Sequence, residues 1–386
     1  MNQGPKEINL SSLSNTKSYI CYGLIILFNI LPYITTIPVS IQLFVVSLAC
    51  LYTGCYRSVS LISYKDTVAK QLKKFEEGRP MTTRDALLFP VYGSAVLGGC
   101  YLLFKFVPRH YINFAFTVHF TVLGYICVTQ LFSSHLHTFF PSLEQVIFQR
   151  KLHVRIPLYK SVKDIEITKG ELLAAIITVI PTVLYAWTKH WLLNNVFGVA
   201  FSISGIQSLT LPNFKIGLML LWALFFYDIF WVYGTDVMVT VAKSIDAPIK
   251  LFFPVNLFDK DPKFSMLGLG DIVIPGVFVA LCLKFDVDKV IRKLFIEKVP
   301  VDMITPYFNW CYIGYASAIL VTFQMMAYFQ RAQPALLYLV PGCTLTVMFL
   351  AFKRQEMKEI LNYDEEFQRR LQENAFIKEI NTEKKI

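Results

Sequence analysis

The chain has 386 residues, of which 55% are hydrophobic, 15% aromatic and only 17% charged, with a formal charge of +10. A mean hydropathy of +0.49 is too high for an ordinary water-soluble domain. The long apolar runs do not alternate every second residue, which argues against a transmembrane β-barrel and for helices of roughly 20 residues each. Lys and Arg gather in loops beside those runs, so the charge reads as membrane topology rather than as a nucleic-acid surface.

Residues 1–18 are polar and include the sequon Asn9-Leu10-Ser11, a glycosylation candidate if this end is lumenal. An apolar stretch at 19–37, broken by Pro32, reads either as a signal-type segment or as an extra helix. Span one is expected at 38–56, followed by a basic amphipathic segment at 57–85 that suits the membrane interface. Spans two and three, at about 86–107 and 110–132, are joined through Pro108 and Arg109 and must form a hairpin. Between 133 and 169 the period of two in Leu152, Val154, Ile156 and Leu158, and again in Ile165 and Ile167, predicts a small extramembrane β-hairpin.

Spans four to nine are expected at about 170–188, 191–211, 215–237, 264–283, 306–328 and 333–352, with a charged tail read as a fraying surface helix. The predicted fold is an all-α polytopic membrane protein with nine transmembrane helices. It divides into an N-terminal part at 1–37, a nine-span domain at 38–352 and a C-terminal tail at 353–386. The basic loops after spans one, three and seven, and the basic tail, place those segments in the cytosol and the N-terminus in the lumen. The loop at 238–263 is then lumenal, although it carries Lys243, Lys250, Lys260 and Lys263. Eight cysteines with no CxxC pair read as small core residues, with neither a zinc site nor a disulfide framework indicated.

Two acids interrupt the apolar spans: Asp228 in span six and Asp271 in span seven. A buried charge at membrane depth costs roughly 2.5–3.5 kcal/mol on insertion scales, so each is a functional candidate. The two spans are consecutive and therefore antiparallel. Asp228 lies nine residues from the end of span six and Asp271 seven from the start of span seven. At about 1.5 Å per residue both sit roughly 10–14 Å below their shared edge, and they can face each other. Two such carboxylates share a proton, one serving as base and one as acid, which suits water-mediated peptide hydrolysis without metal or cofactor. Gly268 and Gly270 permit a loosened helix start and the approach of another backbone. Tyr227 offers a hydroxyl near the pair. Gln333, Pro334, Ala335 and Leu336 open span nine on the same side, with a proline that leaves the helix start without a donor and a small alanine for close packing.

Tyr227-Asp228, then Gly268-Leu269-Gly270-Asp271, then Pro334-Ala335-Leu336, in that order, resemble the GxGD intramembrane aspartyl proteases, and within them the signal peptide peptidase branch. The resemblance spans about 38–352. It implies a multi-pass enzyme of the endoplasmic reticulum membrane that cleaves type II transmembrane segments, including remnant signal peptides, with both aspartates catalytic. Its partners would be membrane-embedded peptides and the lipid bilayer, with a homo-oligomer as an option. The loop after span six lacks the long hydrophilic insertion of presenilins, and the lumenal N-terminus is opposite to theirs.

Rival readings of the acid pair are a proton-coupled transporter or cation leak, and a noncatalytic receptor for membrane segments. His119, His135 and His137 have no HExxH helix to make them a metal site. Asn194, Asn195, Gln207 and Gln324 read as interhelical hydrogen-bonding groups, Asp236 as a solvated residue, and Gly314 with Ala318 as a close helix contact. The apolar stretch at 249–258 is a candidate strand for pairing with unwound substrate.

Overall fold

The computed structural model describes residues 10–60, 81–156, 159–235, 237–245, 247–259, 262–293, 304–329, 331 and 333–365. Asn9, the basic stretch at 61–80, Asp236 and the tail beyond 365 fall outside the described residues.

The apolar stretch near the N-terminus forms helix α1 (Leu10–Ile30), which packs along α2 (Val39–Ser60). Next come the hairpin of α3 (Thr83–Phe106) and α4 (Arg109–Phe139), a two-stranded antiparallel sheet of β1 (Val146–Ile156) and β2 (Tyr159–Thr168), and α5 (Lys169–Thr188). The β-hairpin is where the two-residue period puts it, with Val146 opposite Thr168 and Ile156 opposite Tyr159. Then follow α6 (Trp191–Ser208), α7 (Phe214–Tyr233), the short α8 (Val237–Ser244) and a second antiparallel pair, β3 (Lys250–Pro254) and β4 (Phe264–Gly268). The chain continues as α9 (Gly270–Ile291), α10 (Pro306–Phe329), α11 (Leu336–Lys353) and the short α12 (Met357–Leu361).

Local chemistry sets several helix starts. Thr82 with Asp85 and Thr168 with Glu171 form reciprocal capping boxes for α3 and α5, and Asn213 accepts from the Ile216 N–H at 2.9 Å to open α7.

Each expected span coincides with a helix. Among the described residues seven of these helices are long and apolar enough to cross a membrane, and α6 and α9 fall short of that measure. The reason is polar content. Asn194, Asn195 and Gln207 dilute α6, while Asp271, Lys284, Asp286, Asp288 and Lys289 dilute α9. Yet α9 is the helix around which the molecule packs. Every residue from 275 to 288 is buried, enclosed by α2, α6, α7, α10 and α11. A helix covered on all sides has no need of a single apolar stripe.

Three expectations need correction. The run counted as span seven is helical only from Gly270; residues 264–268 are strand β4, because the two glycines weaken helix propagation and β3 offers a hydrogen-bonding partner instead. The run counted as span six to 237 is helical only to Tyr233, where the Gly234 N–H closes α7 on the Phe230 carbonyl at 2.9 Å, and the stretch expected as loop from 238 contains most of the short helix α8. The start of the tail is also no fraying surface helix, since Ile360, Tyr363 and Glu365 are buried.

Gly314 and Ala318 do mark a close contact. A side chain at Gly314 would collide with the carbonyl oxygen of Gly342 and with Thr346, and one at Gly342 would stand 2.7 Å from Ala318 Cβ, so α10 and α11 lie backbone to backbone. All eight cysteines are free thiols, five of them buried.

Candidate active site

Asp228 projects from α7 a little over one turn before that helix ends, and it is 5% exposed. Its Oδ2 accepts a hydrogen bond of 3.0 Å from the backbone N–H of Leu336, the first residue of α11. That donor is free because the first N–H groups of any helix have no partner within it. Pro334-Ala335-Leu336 thus meets Asp228 directly, through a main-chain atom.

Asp271 sits in the first turn of α9, immediately after β4. It is partly exposed. Asp228, near the end of α7, and Asp271, in the first turn of α9, thus lie toward the ends of these two helices that the connection through α8, β3 and β4 joins. The backbone carbonyl of Asp271 accepts from the hydroxyl of Tyr315 on α10 at 3.3 Å. Tyr315 is fully buried, and nothing in the sequence singled it out among 20 tyrosines.

The glycines before Asp271 differ in what they do. No glycine among the described residues has a left-handed backbone, so neither Gly268 nor Gly270 is there to permit an unusual φ. A Cβ at Gly268 would stand 3.3 Å from Asp271 Oδ2, whereas one at Gly270 would meet only Ile274 Cδ1 at 3.8 Å. Gly268 keeps the carboxyl clear, and exposed Gly270 leaves open surface beside it. Gly268→Ala should therefore displace the Asp271 carboxyl and slow peptide cleavage about 10-fold or more. Gly270→Ala should leave thermal stability unchanged, and any loss of cleavage there would come from the substrate side. Comparing melting curves with turnover separates the two.

The other predicted site residues are placed as follows. Leu269 is buried, and its N–H bonds to the Ile249 carbonyl at 3.1 Å, extending the β3–β4 pairing up to the helix start. Gln333 accepts through Oε1 from the Tyr233 hydroxyl, tying the entry to α11 to the end of α7. Ala335 is buried. Its carbonyl receives the Tyr338 and Leu339 N–H groups, and the Pro334 carbonyl receives that of Leu337. Tyr227 is next to Asp228 in α7, but its hydroxyl lies against Gly93 on α3, where a Cβ would be 3.3 Å away. It serves the packing of α3 on α7 alongside the 3.1 Å bond from Trp231 Nε1 to Ser94.

The part of 249–258 that forms strand β3, Lys250–Pro254, is occupied on both edges. One edge of β3 pairs with β4, with Leu251 opposite Leu267 and Phe253 opposite Ser265. The other is covered by α6: Asn194 Nδ2 donates to the Lys250 carbonyl at 2.7 Å, while Asn195 donates to the Phe252 carbonyl at 2.7 Å and accepts from the Phe252 N–H at 2.8 Å. These asparagines, together with a 3.0 Å bond from Asn195 to Asn29 on α1, do bond between elements as their apolar surroundings suggest. Among the described residues no three His, Cys, Asp or Glu side chains converge as metal ligands.

Residues 70–367 match the family described as signal peptide peptidase. The chain is 37% identical over 332 residues to the signal peptide peptidase of Mus musculus, covering 84% of this chain and 82% of that one. Against the signal peptide peptidase of Homo sapiens it is 39% identical over 293 residues, 74% of each chain. Intramembrane protease 2 of Caenorhabditis elegans is 49% identical over 183 residues, 46% of this chain and 39% of that protein. With seven membrane-length helices among the described residues and this extent of similarity, the chain belongs to the signal peptide peptidase family of intramembrane proteases.

Proposed function

We propose that the chain is an aspartic endopeptidase in which Asp228 and Asp271 divide acid and base work on one water molecule. The observation that supports this reading is the placing of Asp228 and Asp271 toward the connected ends of α7 and α9, with Asp228 held by the Leu336 N–H at 3.0 Å. One carboxylate takes a proton from water as its oxygen attacks the peptide carbonyl carbon, and the other gives its proton to the carbonyl oxygen. The tetrahedral diol then collapses, the C–N bond breaks, and the leaving nitrogen takes up a proton from the dyad.

The substrates are transmembrane segments of type II orientation, including signal peptides left in the membrane, and the site is that of an endoplasmic reticulum protein with a lumenal N-terminus. Purified protein incubated with a type II-oriented signal peptide should release fragments cut within the apolar segment, read by mass spectrometry. Ion flux without any cut would overturn the reading in favour of transport.

Presentation of the scissile bond falls to β4 rather than to β3. The bonds from Leu269 N to Ile249 O and from Val255 N to Lys263 O mark odd-numbered residues as the inward-facing ones. The main-chain groups of Phe264, Met266 and Gly268 therefore point away from β3. No other strand pairs with β4 among the described residues, and β4 leads straight into Asp271. An extended substrate segment adds there, unwound and with its carbonyl exposed. Met266→Pro removes one outward donor without touching the β3 bonds. It should lower cleavage at least about 10-fold while the melting temperature holds, and unchanged turnover would exclude this edge.

A further inference from the structure

At the opposite end of α7 and α9 from the carboxyls, a short piece of chain ties the two helices together. After α11 the chain reverses at Gln355, which takes a left-handed backbone (φ 58°), and the Glu356 N–H closes on the Ala351 carbonyl at 2.9 Å. Residues 357–365 then pass back beneath the bundle. Two of them reach both helices. The Tyr363 ring packs edge-on against Phe214, the first residue of α7, with centroids 5.9 Å apart, and against Phe285 of α9 at 5.2 Å. Its hydroxyl donates to Asp288 of α9. Glu365 bonds through its own N–H to the Pro212 carbonyl at 2.9 Å, just before α7, and through its carboxylate to Lys284 of α9 at 3.1 Å.

Lys284 and Glu365 are 4% and 8% exposed. A buried ion pair of this kind adds little stability over an apolar pair of the same size, and its best-attested use is to fix register. The register here concerns two arms of equal length. Asp228 is 14 residues along α7 from Phe214, and Phe285 is 14 residues along α9 from Asp271. At 1.5 Å per residue each arm is about 21 Å long. A cavity of about 350 Å³, lined by Phe285, Asp288, Lys289, Lys358 and Tyr363 among others, lies beside the crossing. That cavity separates α9 from the strap, while α7 and α9 also meet directly, Phe214 standing edge-on to Phe278 at 5.9 Å and to Phe285 at 5.6 Å; Tyr363 completes this aromatic cluster from the strap side.

We propose that residues 357–365 are a strap whose Tyr363 and Glu365 set the separation of α7 and α9, and thereby the approach of Asp228 to Asp271. These are positioning residues, about 21 Å from the carboxyls along the helices, and the proposal rests on the reading of the two aspartates as a catalytic pair. Strap variants act on kcat rather than on substrate binding, because the β4 edge is remote from them. Breaking the buried ion pair is the strong perturbation, and exchanging its charges restores it.

The test uses the full-length protein in detergent, with two readouts. In the first, Glu365→Lys lowers kcat at least about 10-fold with KM within twofold. Lys284→Glu combined with Glu365→Lys recovers most of the loss, and Tyr363→Phe, which keeps the ring and removes only the hydroxyl, costs a few-fold. In the second, Asp228→Cys and Asp271→Cys are introduced together and oxidative cross-linking is timed. The cross-link forms in the otherwise unaltered chain, slows at least about fivefold with Glu365→Lys, and regains its rate on charge exchange. If Glu365→Lys does not fold, Glu365→Gln and Tyr363→Phe carry the same comparison with smaller effects. Folded strap variants with unaltered kcat and cross-linking rate overturn the strap. Failure of the chain carrying only Asp228→Cys and Asp271→Cys to cross-link, or cleavage surviving without either carboxyl, overturns the dyad reading instead.

Discussion

Asp228→Asn and Asp271→Asn should each abolish intramembrane cleavage, lowering turnover at least about 10³-fold, because general acid–base work by a positioned group contributes about 10²–10⁴-fold and the two roles depend on each other. The stability of the variants should separate the two residues. At Asp228, asparagine still offers an oxygen to the Leu336 N–H, so the melting temperature stays near that of the parent. Asp228→Ala leaves that buried donor without a partner, at a cost of about 1–3 kcal/mol. It should melt measurably lower while being equally inactive. The side chain of Asp271 is partly exposed, and Tyr315 bonds to its backbone rather than to its carboxyl. Asp271→Ala and Asp271→Asn should accordingly melt alike. Cleavage persisting in either asparagine variant would remove the chemistry proposed for the pair.

Gly314→Val should be the most damaging change away from the carboxyls. The new Cβ would fall on the carbonyl oxygen of Gly342, with Thr346 Oγ1 2.7 Å away. These are backbone and β-branched neighbours that cannot rotate aside. Overpacking at such a contact costs about 3 kcal/mol, enough to take a large share of a typical domain's margin. The effect on activity should exceed the effect on folding, because α11 begins with the residue whose N–H holds Asp228. Pushing α11 away from α10 draws that donor off the carboxylate. Thermal unfolding in detergent alongside turnover of a signal peptide measures both, and a variant with parental stability would mean that the helices can slide apart without cost.

The two acids stand out in the sequence because a charge inside an apolar run is costly and therefore conspicuous, and helix rise converts residue counts into depth. The spans themselves were equally plain. The ends of two of them were not. Residues 264–268 are as apolar as a buried helix turn, and hydropathy alone cannot distinguish the two states. What decides the matter is β3, which pairs with them. Tyr227 read as an active-site hydroxyl from its place beside Asp228, whereas the side chain faces Gly93, since neighbouring residues on a helix point about 100° apart. Tyr315 and the strap were invisible for a related reason. The tail is rich in charge, and the burial of Glu365 and Tyr363 follows only from Lys284 and Asp288 lying 81 and 75 positions earlier.

That long separation bears on how the protein is made. The last third of α9 carries Lys284, Asp286, Asp288 and Lys289, and hydrocarbon would reject such a segment if it met lipid alone, at about 2.5–3.5 kcal/mol for each charge at full depth. Its acidic partner for Lys284 does not exist until the ribosome has passed residue 365. The helix at the heart of the bundle therefore gains that counter-charge only after every helix that encloses it has been made.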